Sequence, residues 1–415
     1  MKSDLLTPYT AISLLVTTML GTGITFMPYA FNSIGYNFSF LILIFVSFCT
    51  FISLLCISHV VKISPLKKHT YLSISKDISK FMYYFVNISL FCNCFFSNVS
   101  FYRFLTDILI EIFPFSKWLK LDQEYTRKII ALLISPLLLY LSLKKDLVNL
   151  KVQSWISTFS VSFLALLIIF YSLFFGSSIY KSDILPFNYN FKYAVPFFLP
   201  SMICENSMVE IVQKLRDKSW KNLIFISLTT SLCGSFLYGM VGYCGYIVFG
   251  NKIQGHFVKE LYESNSKINV FMRTQSFDKY NVLSKLAVYS MAIVLVSGFP
   301  IQMISVSNVF MQFMRKENKN DKKRSYVTFC LFLLCFLLVL IENLKIKLIK
   351  RVSGAIFSSS VGLIHPFIYY FCLSETKGIY SVVPRCIFGI VSCLIVYILI
   401  TIILDIKAGD PELYN

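Results

Sequence analysis

Two short stretches hold the residues whose types and spacing suit chemistry on a small polar solute. In the first, residues 14–31, Gly21-Thr22-Gly23 interrupts an otherwise apolar run and Pro28 follows. In the second, Pro196 and Pro200 precede Ser201-Met202-Ile203-Cys204-Glu205-Asn206-Ser207. Glycine permits non-helical dihedrals and close approach to the main chain, and proline withholds an amide from the helical ladder. A helix broken this way frees carbonyls and N–H groups to grip a polar group, and the N-terminal end of a half-helix attracts a carboxylate. Thr22 adds a hydroxyl. Glu205 is a carboxyl inside an apolar stretch, where a charge costs several kcal/mol unless it is protonated or paired. Glu205, with Asn206 beside it midway through this stretch, is therefore expected to face an interior or a water-filled cavity. Two blander readings stay open: a small-residue run also makes a helix-packing face, and a buried glutamate also serves as a structural hydrogen-bonding group.

Other candidate groups point to structure. Arg103, Asp107 and Glu111 recur every fourth residue, so Arg103 and Asp107 share a helical face and can pair. His59 and His365 have no partner visible in the sequence and are read as satisfied core histidines. The twelve cysteines lie within or at the edges of apolar runs, as small buried hydrophobes rather than a disulfide framework. Zinc-type spacing is absent, so no metal and no cofactor are expected. No cluster of catalytic groups and no repeated filter segment occurs, which argues against an enzyme and against a channel.

These residues need elements that hold them at depth. Of 415 residues, 56% are apolar and 14% charged, and the mean hydropathy is +0.68. Several apolar runs approach or exceed the roughly 20 residues that cross a bilayer as a helix. The expected fold class is an all-α polytopic membrane protein with helices at 9–31, 36–60, 78–112, 127–141, 152–175, 193–212, 222–249, 283–310, 326–341, 353–373 and 385–404. The net charge of +18 falls mainly in short connections, where it sets topology and faces anionic lipid rather than nucleic acid. The connections 61–77, 142–151, 213–221, 311–325 and 374–384 are the denser in Lys and Arg. That places them and the N-terminus in the cytoplasm, and the C-terminus outside. The first apolar run is too long for an ordinary signal peptide and is read as a retained span. Segment 342–352 reads as interfacial. Abundant Phe, Tyr, Ile, Lys and Asn with scarce Ala and Gly suggest an A/T-rich genome, such as that of a eukaryotic parasite.

The order of motifs carries a resemblance. VTTMLGTGITFMPYAFNSIG (16–35) resembles the first helix of the amino acid/auxin permease family, which includes sodium-coupled, proton-coupled and vacuolar amino acid transporters. Gly21, Thr22, Gly23, Pro28, Ala30 and Gly35 match. SPLLLYLSLKKDLVNLKVQSWIS (135–157), ICENSMVEIVQKLRD (203–217), FLYGMVGYCGYIVFGNKI (236–253) and VSGFPIQMISVSNVF (296–310) are similar to later family segments, in order. The resemblance implies a leucine-transporter-like core of eleven transmembrane helices. Residues 1–8 would be a short cytoplasmic N-terminus, and 9–175 and 176–373 two inverted five-helix repeats. Residues 250–282 would form an outer loop, and 374–415 an extra helix with a short tail. It implies an amino acid substrate held by Gly21, Thr22 and Gly23 at its carboxylate, with Ser201, Cys204, Glu205 and Asn206 at its amine or side chain.

Coupling is the point of departure from that family. Sodium-coupled members carry asparagine near Thr17 and a threonine near Met291 or Ile293; here only Thr17, Thr18, Ser290 and Ser297 supply nearby hydroxyls, which weakens sodium. Relatives place histidine or a small residue where Glu205 stands, which implies a coupling proton carried by Glu205. A lysine- or arginine-like substrate paired with Glu205 is the other use of that carboxylate. The expected function is secondary active transport of neutral or cationic L-amino acids by alternating access, as a monomer in lipid. The plasma membrane and an acidic organelle both fit. A transporter-like sensor that binds and signals without transporting is the alternative.

Overall fold

The computed structural model describes residues 6–20, 22–63, 70–112, 122–143, 151–179, 184–253, 255–262, 278–314, 321–341, 346–374 and 379–408. Helix α1 (Pro8–Met19) starts at an N-cap, Thr7, whose hydroxyl accepts from the Thr10 amide, and Pro8 occupies the first turn where its missing N–H costs nothing. A 3-10 turn, Thr22–Phe26, leads into α2 (Met27–Ile34). Gly35 then takes φ +79°, and a Cβ there would lie 2.7 Å from the backbone of Pro186 and Phe187. Only glycine fits, because the segment 185–190 runs against this turn: the Asn188 amide donates to the Ile34 carbonyl at 2.8 Å.

The chain continues through α3 (Tyr36–Ile63), α4 (Tyr71–Ile78), α5 (Lys80–Ile112), α6 (Gln123–Leu143), α7 (Lys151–Ile179), α8 (Phe191–Phe198) and α9 (Glu205–Lys214). It ends with α10 (Trp220–Phe249), α11 (Phe257–Tyr262), α12 (Asp278–Phe313), α13 (Asp321–Val339), α14 (Ile346–Val352), α15 (His365–Leu373) and α16 (Ile379–Ala408). Between α14 and α15 the backbone widens into two π-helical stretches, Ser353–Ser358 and Ser360–Ile364. The described residues of the eleven expected intervals are mainly helical; the first and sixth are each two helices separated by a break, the third crosses the end of α4 at Ser79, and the ninth runs past Val339, where α13 ends. Among the described residues, six helices are long and apolar enough to span a bilayer, and the bent first pair makes a seventh. Leu41, Ile44 and Phe48 on α3 and Leu132, Leu133 and Leu137 on α6 are exposed. Such outward apolar surface suits a lipid solvent.

The described chain divides into two compact units. The unit formed by 91–184 and 241–350 contains most of α5, α6, α7, α12 and α13. Its hydroxyl bonds run between helices: Tyr102 donates to the Ala131 carbonyl at 2.7 Å, and the Tyr171 and Ser284 hydroxyls share a bond of 2.9 Å. Its charges form a closed group. Arg127 meets Asp107 at 2.8 Å and also Glu124, while Arg103 lies 3.7 Å from Glu124 and donates to the Val339 carbonyl at 2.9 Å. Asp107, which can pair with Arg103 one turn away, is also met at hydrogen-bond distance by Arg127 reaching across from α6; Arg103 stays within electrostatic reach of Asp107 and caps the end of α13. The side chain of Glu111 lies outside the described residues.

The unit formed by 1–90, 185–240 and 351–410 contains both breaks. A second charge cluster ties its ends together: Asp405 of α16 bonds Lys192 of α8 at 2.8 Å and Arg351 of α14 at 3.2 Å, and Arg351 also donates to the Lys192 carbonyl. Arg351 is fully buried. A buried pair of this kind adds little net stability but is costly to half-remove, so it specifies how the three chain ends meet.

Candidate functional site at two helix breaks

The two broken helices are paired half by half. At one end, Leu6 before α1 bridges Leu215 after α9: the Leu6 amide donates to Lys214 at 2.8 Å, and the Arg216 amide to Leu6 at 3.0 Å. At the other, Phe26 stacks on Phe197 of α8 with ring centroids 5.3 Å apart, Tyr29 meets the same ring edge-on at 5.8 Å, and Phe31 lies 6.0 Å from Phe198. Counting from the Leu6–Leu215 bridge, helix rise puts Met19 about 20 Å along and Glu205 about 15 Å along. The breaks therefore sit at nearly the same level.

At the first break Leu20 leaves helical geometry, with φ −70° and ψ 89°, and the half-helices Pro8–Met19 and Gly23–Ile34 bend by 54°. The Met19 carbonyl, freed from the ladder, accepts from the Tyr238 hydroxyl of α10 at 2.7 Å. A Cβ on Gly23 would stand 3.8 Å from that same hydroxyl. Gly21 lies outside the described residues, as does the side chain of Thr22. Thr17 and Thr18 turn their hydroxyls back onto α1, donating to Ser13 and Leu15 carbonyls at 2.8 Å each.

At the second break the chain turns through residues 199–204. Ser201 is buried and donates its hydroxyl to the Phe198 carbonyl at 2.6 Å, which satisfies a carbonyl that the end of α8 leaves open. Cys204, at φ −146°, is the residue from which α9 starts. The segment can fold this tightly because it leans on two glycines: a Cβ on Gly354 would lie 2.8 Å from the Pro196 carbonyl oxygen, and one on Gly362 2.5 Å from Ile203. Gly234 of α10 does the same where the breaks converge, since a Cβ there would lie 2.9 Å from Met19 Sδ and 3.8 Å from Met202.

Glu205 opens α9, where a negative charge suits the helix N-terminus. It is 0% exposed. Its Oε2 accepts from the Cys204 amide at 2.9 Å, whereas Oε1 has no hydrogen-bond partner among the described residues. The Ser53 hydroxyl stands close enough to the Glu205 carboxyl to interact as a hydrogen-bonding group, and the Tyr71 hydroxyl lies within electrostatic reach. Both are committed to the π-helical turn, Ser53 donating to the Gly362 carbonyl at 2.7 Å and Tyr71 to the Val361 carbonyl. The site thus has a carboxyl group with one spare oxygen, no cationic partner among the described residues, and two hydroxyls whose protons point elsewhere. It is chemically ready for a proton or for an ammonium group.

Asn206 is exposed, and its side-chain oxygen accepts from the Ser207 amide. His365, expected as a satisfied core histidine, is fully buried, but both ring nitrogens lack partners among the described residues, with Tyr71, Phe85 and Tyr369 around the ring. Ser290 and Ser297 lie two turns apart on α12, in the other unit, with Ser297 buried. Sequence reasoning missed Ser53, Tyr71 and Tyr238, and with them the π-helical segment. Its visible trace was the small-residue run SGAIFSSSVG.

The model of the family described as transmembrane amino acid transporter protein matches residues 6–406 of this chain. The chain belongs to the transmembrane amino acid transporter family. It is similar to vacuolar amino acid transporter 5 of Schizosaccharomyces pombe, 23% identical over 372 residues, spanning 88% of this chain and 84% of that one. Vacuolar amino acid transporter 6 of Saccharomyces cerevisiae is 24% identical over 253 residues, 59% of this chain and 56% of its own length. Among solved structures, that of MhsT in complex with L-phenylalanine superposes with a TM-score of 0.60 at 11% identity, covering 94% of this chain and 98% of that one. The fold is thus that of the MhsT structure, and the family match makes the chain an all-α, multi-pass membrane transporter of amino acids rather than an enzyme.

Proposed function

We propose that this transporter moves neutral or cationic L-amino acids by alternating access, driven by a proton that binds Glu205. The observation that carries the reading is the burial of Glu205 at the break between α8 and α9, with one carboxylate oxygen unpartnered. An ionised carboxylate left this way costs several kcal/mol, and a proton on Oε1 removes that cost. Protonation then biases which way the half-helices pack. The opposing break, around Gly21 to Gly23, supplies main-chain groups for the substrate carboxylate, and the turn at Ser201 and Cys204 flanks its amine.

The reading includes eleven membrane crossings, the inverted repeats 9–175 and 176–373 and a cytoplasmic N-terminus. The names of the vacuolar relatives support an acidic organelle over the plasma membrane, where a standing proton gradient drives export of substrate to the cytoplasm. The test is uptake into proteoliposomes under an imposed pH gradient. Glu205→Gln keeps the shape and hydrogen bonds of a protonated carboxyl, so it should retain substrate exchange while losing acceleration by the gradient. Gradient dependence equal to that of the wild type would remove Glu205 from this role.

A further inference from the structure

Two of the apolar grooves on the described surface, one in each unit, differ in charge. The groove among Ile42, Phe191 and Tyr397 has a volume of about 410 Å³ and no charged lining residue. The groove between the end of α12 and the start of α13 is larger, about 670 Å³, with walls from Phe310, Met314, Val327 and Leu331. Lys322 and Lys323 line it too, and both are exposed. Tyr326, 71% exposed, stands beside them.

We propose that this second groove binds an anionic phospholipid, its acyl chain along the apolar walls and its phosphate at Lys322 and Lys323. Three features support a lipid. The walls belong to α12, which is long and apolar enough to span a bilayer, and to α13, whose Phe329, Leu333, Leu334 and Leu337 are exposed, so the groove continues an outward apolar surface. Its lysines sit at one end only, which is the polarity of a lipid. The connection 314–324 carries six basic residues, Arg315, Lys316, Lys319, Lys322, Lys323 and Arg324, against Glu317 and Asp321. Basic clusters directly beside a membrane helix attract anionic headgroups with about 1 kcal/mol per residue, and the topology read from charge puts this connection on the cytoplasmic side. The walls are held at fixed spacing: the buried Thr328 hydroxyl of α13 donates to that of Ser307 on α12 at 2.9 Å, and Phe91 packs on Phe310 at 5.9 Å. A lipid seated there braces the α12–α13 hairpin.

The full chain, purified in detergent, is titrated with dioleoylphosphatidylserine, with dioleoylphosphatidylcholine and with water-soluble glycerophosphoserine, and bound species are counted by native mass spectrometry. Wild type should bind the serine lipid at least tenfold more tightly than the choline lipid. Glycerophosphoserine should not displace it. Lys322→Gln with Lys323→Gln should lower serine-lipid affinity roughly 25-fold, about fivefold per lysine, and leave choline-lipid binding unchanged. Both positions are exposed, so the double variant keeps its fold, and Val327→Trp, which fills the groove, should weaken both lipids. Equal affinity for the two lipids, an unchanged double variant, or displacement by the soluble headgroup would each overturn the proposal. The readout is binding, so it stands or falls apart from the role of Glu205.

Discussion

Ile203 and Gly362 show how a single missing methyl group lets the second break exist. Ile203 lies on the side of the turn next to Cys204 and Glu205, and its Cγ1 fills the space where a Cβ on Gly362 would stand. Alanine there overpacks the contact, which costs about 1–3 kcal/mol, and displaces the residues that aim Glu205. Gly362→Ala should therefore lower the melting temperature and cut uptake by on the order of tenfold, the equivalent of ~1.4 kcal/mol. Ile203→Val in the same chain should recover part of both. Gly389, with nothing within 4 Å of its would-be Cβ, is the control: Gly389→Ala should leave uptake unchanged and stability equal or slightly raised. A Gly362→Ala protein with wild-type melting and uptake would show that the turn does not depend on this contact.

At the scale of elements, the half-helices persist because other helices take up what the breaks leave open. Tyr238 donates to the Met19 carbonyl at the end of α1, while Ser53 and Tyr71 take carbonyls of the π-helical turn. Removing the hydroxyl leaves Met19 with one acceptor less well satisfied, worth about 1–3 kcal/mol when buried. Tyr238→Phe should thus lower thermal stability and weaken substrate binding severalfold, measured by the ligand-induced shift in melting. An unchanged shift would separate Tyr238 from the site. The breaks were legible in the sequence because glycine and proline are strong punctuation, and helix positions followed from apolar runs. The π-helical turn was not, because an i→i+5 ladder leaves no periodicity of its own in a stretch apolar on all sides. The Lys192–Arg351–Asp405 cluster was also hidden: its members are separated by 159, 54 and 213 residues, and a single chain carries no signal that links them.

For the whole molecule the open choice is the driving ion, and the two candidates make different demands. Sodium needs several oxygen ligands held together; the Thr17, Thr18 and Ser201 hydroxyls donate to carbonyls of their own segments and keep their lone pairs, so they offer neutral oxygens only. A proton needs one carboxyl in a place where its charge is disfavoured, and buried Glu205 meets that demand by itself. Reconstituted full-length protein should therefore take up amino acid equally well with sodium or with choline as the external cation, and uptake should collapse when a protonophore dissipates the pH gradient. A panel of competitors read in the same vesicles divides the substrate classes. If Glu205 carries the proton, it cannot also stay ionised opposite a cationic side chain, so large neutral amino acids should compete at least as well as lysine or arginine. Lysine outcompeting all neutral amino acids, with uptake indifferent to the pH gradient, would assign the carboxylate to the substrate instead. Retained binding without flux of any amino acid would make the same fold a sensor.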